Sequence, residues 1–391
     1  MMNLLNGLIY YKMRKIFILV ERRADYSRYK PILELLSKDP FFKIYLVVTG
    51  ICLLDVHGSD INYIENDGFE ISATIPMFLP NADDTGAEMT RAMSRVMLGV
   101  VDELEKSKPD IVLSGFDIGG NFAVTIAAAH MNIPVAHIQG GEVTGSIDES
   151  IRHAMSKFSH FHFPATEDAK KRLIRLGENP EDIFVVGCPS IDVLLNTPQL
   201  PKRELEIKYG IDFSKPFIIM IQHPVTTEVK SSLEQIRETI TAIKNVGVQT
   251  IALLPNNDAG HSKIIKEVKE SGIKWYPSLS TIDFINLYRN AWALIGNSSS
   301  GIHETPTFKI PAINIGNRQM GRERAANVID VSNNAAEIEK GLRKALYDNN
   351  FRELVSKIKN PYGEGDSASK IVHYLKHIKL EGKLQKVFYE G

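Results

Sequence analysis

Apolar runs bounded by polar, turn-forming stretches recur along the chain, and their spacing predicts alternating strands and helices. Residues 16–20 form a continuous apolar run, as expected of a strand covered on both faces. A helical pattern follows at Tyr29, Ile32, Leu33 and Leu36, and residues 43–48 predict a second strand ending at Thr49-Gly50. Over residues 85–107, Met89, Met93, Val96, Met97, Val100, Val101 and Leu104 fall at three- and four-residue steps. That spacing predicts a helix whose Met-rich stripe packs into the core. Strand 110–113, helix 121–131 and strand 134–138 continue the series with short connections, so a parallel sheet with right-handed crossovers is expected. Ligands gather beyond the C-terminal strand ends of such sheets, which here carry Arg23, Asp117 and the segment 139–148.

The pattern then changes. Residues 196–216 are polar and proline-containing, which reads as a linker. A second series of strands is predicted at residues 217–221, 250–254, 275–276, 293–295 and 312–315, with helices between. The expected division is a loose extension at 1–13, one α/β domain at 14–195, the linker, and a second α/β domain at 217–366. Residues 367–391 then form a C-terminal element whose helical part packs back across an interdomain cleft. Beyond the run at 293–295 lies Gly296-Asn297-Ser298-Ser299-Ser300-Gly301-Ile302-His303-Glu304. Small residues and hydroxyls between a strand and a helix start suit an anion, because free N–H groups and the helix dipole favour phosphate. Glu304, about one turn inside, is placed to accept the hydroxyls of a ribose. The plain alternative is a polar loop with a good helix cap.

Composition narrows the class without identifying it. The chain has 391 residues, 43% hydrophobic and 24% charged, enough for two cores. A net charge of −1 gives no electrostatic case for nucleic acid or a membrane surface. Cys52 and Cys188 lie far apart and make neither a disulfide framework nor a metal spacing, so a reducing cytoplasm is the simplest compartment. No cofactor and no metal are expected. No apolar run approaches the roughly 20 residues of a membrane span. The apolar start up to Met13 lacks a basic flank and a cleavage site, so a signal peptide is not expected, and Met13 is an alternative start.

Several stretches share a further pattern: Arg23-Ala24-Asp25-Tyr26-Ser27, the block Gly140-Gly141-Glu142-Val143-Thr144-Gly145-Ser146-Ile147-Asp148-Glu149-Ser150-Ile151-Arg152-His153, and His223-Pro224-Val225-Thr226-Thr227. Pro255-Asn256-Asn257-Asp258-Ala259-Gly260, Gly296-Asn297-Ser298-Ser299 and Arg318-Gln319-Met320-Gly321-Arg322-Glu323 complete it. Taken together, and in this order, they resemble the hydrolysing UDP-N-acetylglucosamine 2-epimerases of sialic-acid pathways, from about Arg14 to near the C-terminus. The resemblance implies a GT-B-like fold, two Rossmann-type domains with the nucleotide in the cleft, in a homodimer or homotetramer. It implies anti elimination of UDP with the C2 proton to give a 2-acetamidoglucal. Water then adds to release N-acetylmannosamine. That chemistry needs a positioned base, charge stabilisation for departing UDP and an acid for reprotonation.

Candidate residues follow. Arg23, with its fixed charge after the first strand, suits a diphosphate; Ser27 suits the same phosphates or a helix cap. His223 and Asn256 stand at second-domain strand ends facing the nucleotide, with Ser298, Ser299 and Glu304, and the resemblance adds Arg318. For each, a structural or surface role is the alternative. The resemblance places three acids on the sugar side. Asp117 keeps the first, with Ile118 where the family has arginine and Gly120 where a further acid is expected. In His137-Ile138-Gln139-Gly140-Gly141-Glu142, Gln139 replaces the second, and a glutamine cannot exchange a proton near neutral pH. Glu142 is the expected substitute, and Asp148 matches the third. Helix capping is the alternative for Asp117 and Asp148. Arg152 is expected to pair with Glu149 or Asp148, and Cys52 stands where the family has histidine. UDP-N-acetylglucosamine is the first substrate expected. UDP-N,N'-diacetylbacillosamine, non-hydrolysing epimerisation, or UDP-sugar binding with degraded catalysis are the alternatives.

Overall fold

The computed structural model describes residues 3–5, 8–10, 13–54, 61–79 and 82–391. At the N-terminus β1 (Asn3–Leu5) pairs antiparallel with β2 (Leu8–Tyr10), and the rest of the expected extension up to residue 12 lies outside the described residues. The first sheet is built from β3 (Arg14–Val20), β4 (Phe42–Thr49), β5 (Ile71–Ile75), β6 (Ile111–Gly115), β7 (Val135–Ile138) and β8 (Phe161–Phe163). The second is built from β9 (Phe217–Ile221), β10 (Gln249–Leu253), β11 (Lys274–Tyr276), β12 (Ala293–Gly296), β13 (Ala312–Ile315) and β14 (Val328–Val331). Their orders are β5-β4-β3-β6-β7-β8 and β11-β10-β9-β12-β13-β14, and every pairing within them is parallel.

In each sheet the order of strand addition reverses beside the first strand, between β3 and β6 and between β9 and β12. A crevice opens at that switch point beyond the strand ends. Alternation along β3 explains why the run at its centre is wholly apolar. Ile16, Ile18 and Val20 enter one core while Phe17 and Leu19 enter the core on the other face. The second sheet is sandwiched in the same way, with Phe217, Ile219 and Ile221 on one side and Ile218 and Met220 on the other.

Two details differ from the sequence reading. The helix after β3 starts at Arg23 and runs to Lys38, so the charged Arg23-Ala24-Asp25 lies inside it rather than before it. The segment 196–216 contains the helix Lys202–Tyr209, whose Leu205 and Tyr209 join the core under the second sheet. Helix Ser367–His377 sends Ala368, Ile371 and Leu375 into the first core, about 200 residues after β8. Its start is held by Asp192, whose carboxylate accepts the Ser367 and Ala368 N–H groups at 3.1 and 2.9 Å. Nearby the Cys188 N–H donates to Tyr362 O at 2.7 Å, so the two chain crossings between the halves run side by side. Among the described residues no helix is long and apolar enough to cross a membrane.

The halves also meet across the mouth of the cleft. Asp84 accepts the Gly260 N–H at 2.9 Å and the Ser262 hydroxyl at 2.7 Å, capping the helix His261–Glu270 from the opposite domain. A helix cap is worth about 0.5–2 kcal/mol. Asp84→Ala is therefore expected to widen the cleft in solution, seen as a larger radius of gyration by X-ray scattering. An unchanged radius would show that the cap does not hold the two halves together.

Candidate active site

Both switch points open into one cavity of about 920 Å³ between the halves. It is lined by every site residue expected from the sequence: Arg23, Ser27, Asp117, Gln139, Glu142, Asp148, His223, Asn256, Ser298, Ser299, Glu304 and Arg318. The strand ends explain the convergence. Arg23 follows β3, Asp117 follows β6, Gln139 follows β7, His223 follows β9 and Ser298 follows β12.

On the second-domain side, Asn297 ties the ends of β9 and β12 together. Its Oδ1 accepts the His223 N–H at 2.7 Å and its Nδ2 donates to His223 O at 2.9 Å. Gly296 is required just before it: at φ 132° a side chain there would strike Ile221 O, 2.0 Å from its Cβ. His223 Nδ1 accepts the Asn256 N–H at 3.2 Å, which leaves the proton on Nε2. Burial, with help from Arg318 and Arg22, holds the ring neutral by keeping its pKa well below the usual histidine value. Asn256 Oδ1 is buried without a hydrogen-bond partner in the protein and lies where a ligand donor would satisfy it.

The loop after β12 differs from its expected shape. Ser300–His303 is a single helical turn, and Glu304 stands at its end rather than inside a longer helix. The Glu304 carboxylate accepts the Ser300 hydroxyl at 2.6 Å. Ser27 is neither a cap nor a helix start, since its hydroxyl donates to Ala24 O at 2.8 Å within the helix. Arg23 reaches across the cleft, donating to Leu279 O at 2.7 Å while its guanidinium lies 4.0 Å from the Tyr63 ring centroid.

The carboxylate side is bound up with arginines. Asp117 does not cap a helix, because Ile118 occupies the cap position of Gly119–His130. It ion-pairs with Arg152, whose partner in the fold is thus Asp117 rather than Glu149, while the Asp148 charge favours the same cation from further off. Arg152 is buried and also donates to Glu142 O at 3.0 Å. Burial opposes the Asp117 anion, but Arg152, Arg322 and Arg22 outweigh it and keep its pKa below the usual range. Asp148 sits in the first turn of Ile147–Phe158, behind Ser146 at the cap position, and faces Arg318 at 3.5 Å. Burial and the charge of Asp117 raise its pKa, with Arg318 opposing.

Glu142 is the hub. It accepts Gln139 Nε2 at 3.1 Å, accepts His303 Nε2 at 3.0 Å and ion-pairs with Arg322 at 3.2 Å. His303 and Arg322 belong to the second domain, so this buried cluster joins the halves. Burial works against the Glu142 anion, yet His303 and Arg322 hold it far below the usual carboxylate range. The glutamine at 139 now has a reason: an acid there would face Glu142 instead of donating to it. Its remaining oxygen, Oε1, is buried without a partner in the protein.

Position 120 has a reason too. A Cβ on Gly120 would lie 2.7 Å from the carboxylate oxygen of Glu21, a cavity-lining acid that sequence reasoning did not single out. His303 was also missed, although it lies inside the quoted loop. Cys52, where a histidine was expected, is buried in the turn after β4. Among the described residues no cluster of three or more His, Cys, Asp or Glu side chains could hold a metal ion.

A family model described as UDP-N-acetylglucosamine 2-epimerase matches residues 34–376. The UDP-N,N'-diacetylbacillosamine 2-epimerase (hydrolyzing) of Legionella pneumophila is 38% identical over 377 residues, spanning 95% of this chain and 98% of that protein. Polysialic acid biosynthesis protein P7 of Escherichia coli is 34% identical over 387 residues, spanning 97% and 98%. The crystal structure of UDP-GlcNAc 2-epimerase from Neisseria meningitidis bound to UDP-GlcNAc superposes with a TM-score of 0.80 at 20% identity, covering 92% of this chain and 99% of that one. The last of these likenesses is one of fold, two α/β units of GT-B type around a cleft.

Proposed function

The chain belongs to the UDP-N-acetylglucosamine 2-epimerase family, and from that premise we propose that it is a hydrolysing 2-epimerase of a UDP-linked 2-acetamido sugar. The observation that carries this reading is one cleft with two chemically distinct walls. The second-domain wall, with His223, Asn256, Ser298, Ser299, Glu304 and Arg318, suits UDP, and Arg23 reaches the diphosphate from the first domain. The first-domain wall carries Asp117, Glu142 and Asp148 around the place where the sugar would lie.

The roles divide by electrostatics. Asp148, whose pKa burial raises, is suited to move the proton at C2. Asp117 and Glu142 stay anionic among arginines and hold those cations in place. Arg318 and Arg23 take up charge as the C1–O bond to UDP breaks. Water adding to C1 of the resulting glucal, with C2 reprotonated from the opposite face, gives the free inverted sugar.

For the sugar itself, the motifs alone favour UDP-N-acetylglucosamine. Ile118, with Met89, Met93, Ile147 and Ile151 on the same cavity walls, favours the diacetamido sugar instead. A C6 methyl and a second acetyl methyl suit apolar walls, each buried carbon being worth about 0.8 kcal/mol. The 4- and 6-hydroxyls of N-acetylglucosamine would meet those walls unpaired, at about 1–3 kcal/mol each. The 38% identical hydrolysing relative supports the same choice. The expected result is a kcat/KM at least about tenfold higher for UDP-N,N'-diacetylbacillosamine than for UDP-N-acetylglucosamine.

The test is incubation with each UDP-sugar in D₂O. Free sugar deuterated at C2 plus UDP supports the reading. Retained UDP-sugar epimer would make the enzyme non-hydrolysing, and tight UDP binding without any turnover would make the protein a binder. Gln139→Glu separates degraded catalysis from a built site. It sets two carboxylates about 3 Å apart and should lower turnover by roughly tenfold or more. A gain in UDP release would show instead that the amide is a lost acid.

A further inference from the structure

Glu21 is a buried carboxyl that the proposed reaction leaves unused. It directly follows β3 at the first switch point, is 4% exposed and lines the cavity. Two glycines from neighbouring elements close over it. A Cβ on Gly50 would lie 2.3 Å from Glu21 Cγ, and one on Gly120 would lie 2.7 Å from Oε2. Side chains at either position would evict the carboxyl, so its seat is built. Seated there, it accepts the Gly120 N–H at 2.7 Å.

That bond falls on a strained piece of chain. Between β6 and the helix Gly119–His130, Phe116 and Asp117 take φ values of 67° and 31°, a left-handed conformation that L side chains avoid. Such a turn persists only if its surroundings over-determine it. Phe116 is anchored in the core, edge-on to Tyr29 with ring centroids 4.9 Å apart. The Asp117 carboxylate is held by Arg152. The exit of the turn is held by Glu21.

We propose that Glu21 is a positioning residue for Asp117: its carboxyl, seated between Gly50 and Gly120, pins the exit of the left-handed Phe116–Asp117 turn and so aims Asp117 into the cleft. The proposal rests on the reading of Asp117 as part of the reacting wall. Glu21 touches no substrate atom in this account. Burial pushes its pKa up to about 7, so it spends part of its time as a neutral carboxyl, still able to accept the Gly120 N–H. A glutamine oxygen can accept the same bond.

The experiment compares Glu21→Gln, Glu21→Ala, Gly120→Ala and the double variant Glu21→Ala/Gly120→Ala with the wild-type chain. Turnover of the UDP-sugar and amide hydrogen exchange over residues 116–120 are both read. Glu21→Gln is expected to stay within about threefold of wild type in kcat and KM. Glu21→Ala is expected to lose at least tenfold in kcat with KM within about threefold. Gly120→Ala should match it by evicting the carboxyl, and the double variant should be no slower than Glu21→Ala alone. Exchange over 116–120 should quicken in the alanine variants and not in Glu21→Gln.

A Glu21→Gln variant as slow as Glu21→Ala, additive losses in the double variant, or unchanged exchange in Glu21→Ala would each overturn the proposal. Exchange is read without turnover. If the wild-type chain turns over no UDP-sugar while exchange behaves as expected, the functional reading fails and the pinning of the turn stands.

Discussion

Asp148→Asn is expected to cut turnover by roughly 10²–10⁴-fold, the usual worth of a proton-transfer group, while UDP affinity changes by less than about threefold. Asparagine fills nearly the same volume and can still face Arg318, 3.5 Å away, so little besides the proton is lost. The pH profile of the wild-type protein carries the same claim. Burial and the charge of Asp117 raise the Asp148 pKa. A base must be ionised to act, so kcat/KM should fall as pH drops through that raised value. The acid limb should therefore lie above the ordinary carboxylate range of about 4, and the residual activity of Asp148→Asn should lack it. If the variant keeps full turnover, or keeps the limb, another group moves the proton.

Glu142→Leu is the second large effect, and its form depends on which of two costs is smaller. With the cleft shut, the substitution strands Arg322 and His303 in a buried pocket and removes the acceptor for Gln139. Stranding a buried charge costs about 3–5 kcal/mol. Opening the cleft lets water reach both second-domain groups. The contacts that resist opening are the Asp84 cap, worth about 0.5–2 kcal/mol, the Arg23–Leu279 O and Gly145–Arg318 O hydrogen bonds and the Arg318–Asp148 pair, each worth about 1 kcal/mol and each handed to water on opening. Opening is the expected response, because it hydrates Arg322 and His303 together while every group it parts is also rehydrated. The expected variant is inactive, has a larger radius of gyration and unfolds with nearly the wild-type midpoint, because each half keeps its own core. A variant that stays shut and loses several kcal/mol in urea denaturation would show that the cleft cannot open.

The central strands were legible because parallel strands buried on both faces must be continuously apolar, as residues 16–20 and 217–221 are. The edge strands β5, β8 and β14 were not. Ile71–Ile75 and Val328–Val331 alternate or mix exposures, and Phe161–Phe163 is three residues long. The start of the helix at Arg23 was hidden by its charged first turn, which carries no side-chain cap. The helical pattern after Gly296 proved to be a single turn, since Pro306 in the following 3₁₀ turn stops it.

The residues that line the cleft were legible where a motif meets a strand end. Their partners were not. Glu142 and His303 lie 161 residues apart in sequence and meet only when the halves close. Arg152 was assigned to the acids one turn away on its own helix, while the fold gives it Asp117, 35 residues earlier. Gln139 looked like a loss because Glu142, read as its substitute, gave no sign in the sequence of accepting its amide. The one usable hint for His303 was a polar ring between Ile302 and Glu304 in a stretch too short to be amphipathic.

The helix Ser367–His377 has a consequence for the order in which the protein is made. Ile371 and Leu375, with Ile378 just beyond, complete the hydrophobic core under the first sheet. A ribosome releases that sheet first and its missing wall last. The N-terminal half must therefore wait, with part of its apolar face uncovered, until Ile378 has emerged. The second half has all six of its strands by Val331, completes its two cores with helix Ala335–Tyr347 and Tyr362, and can close before the first. In this protein the half synthesised first is the half finished last.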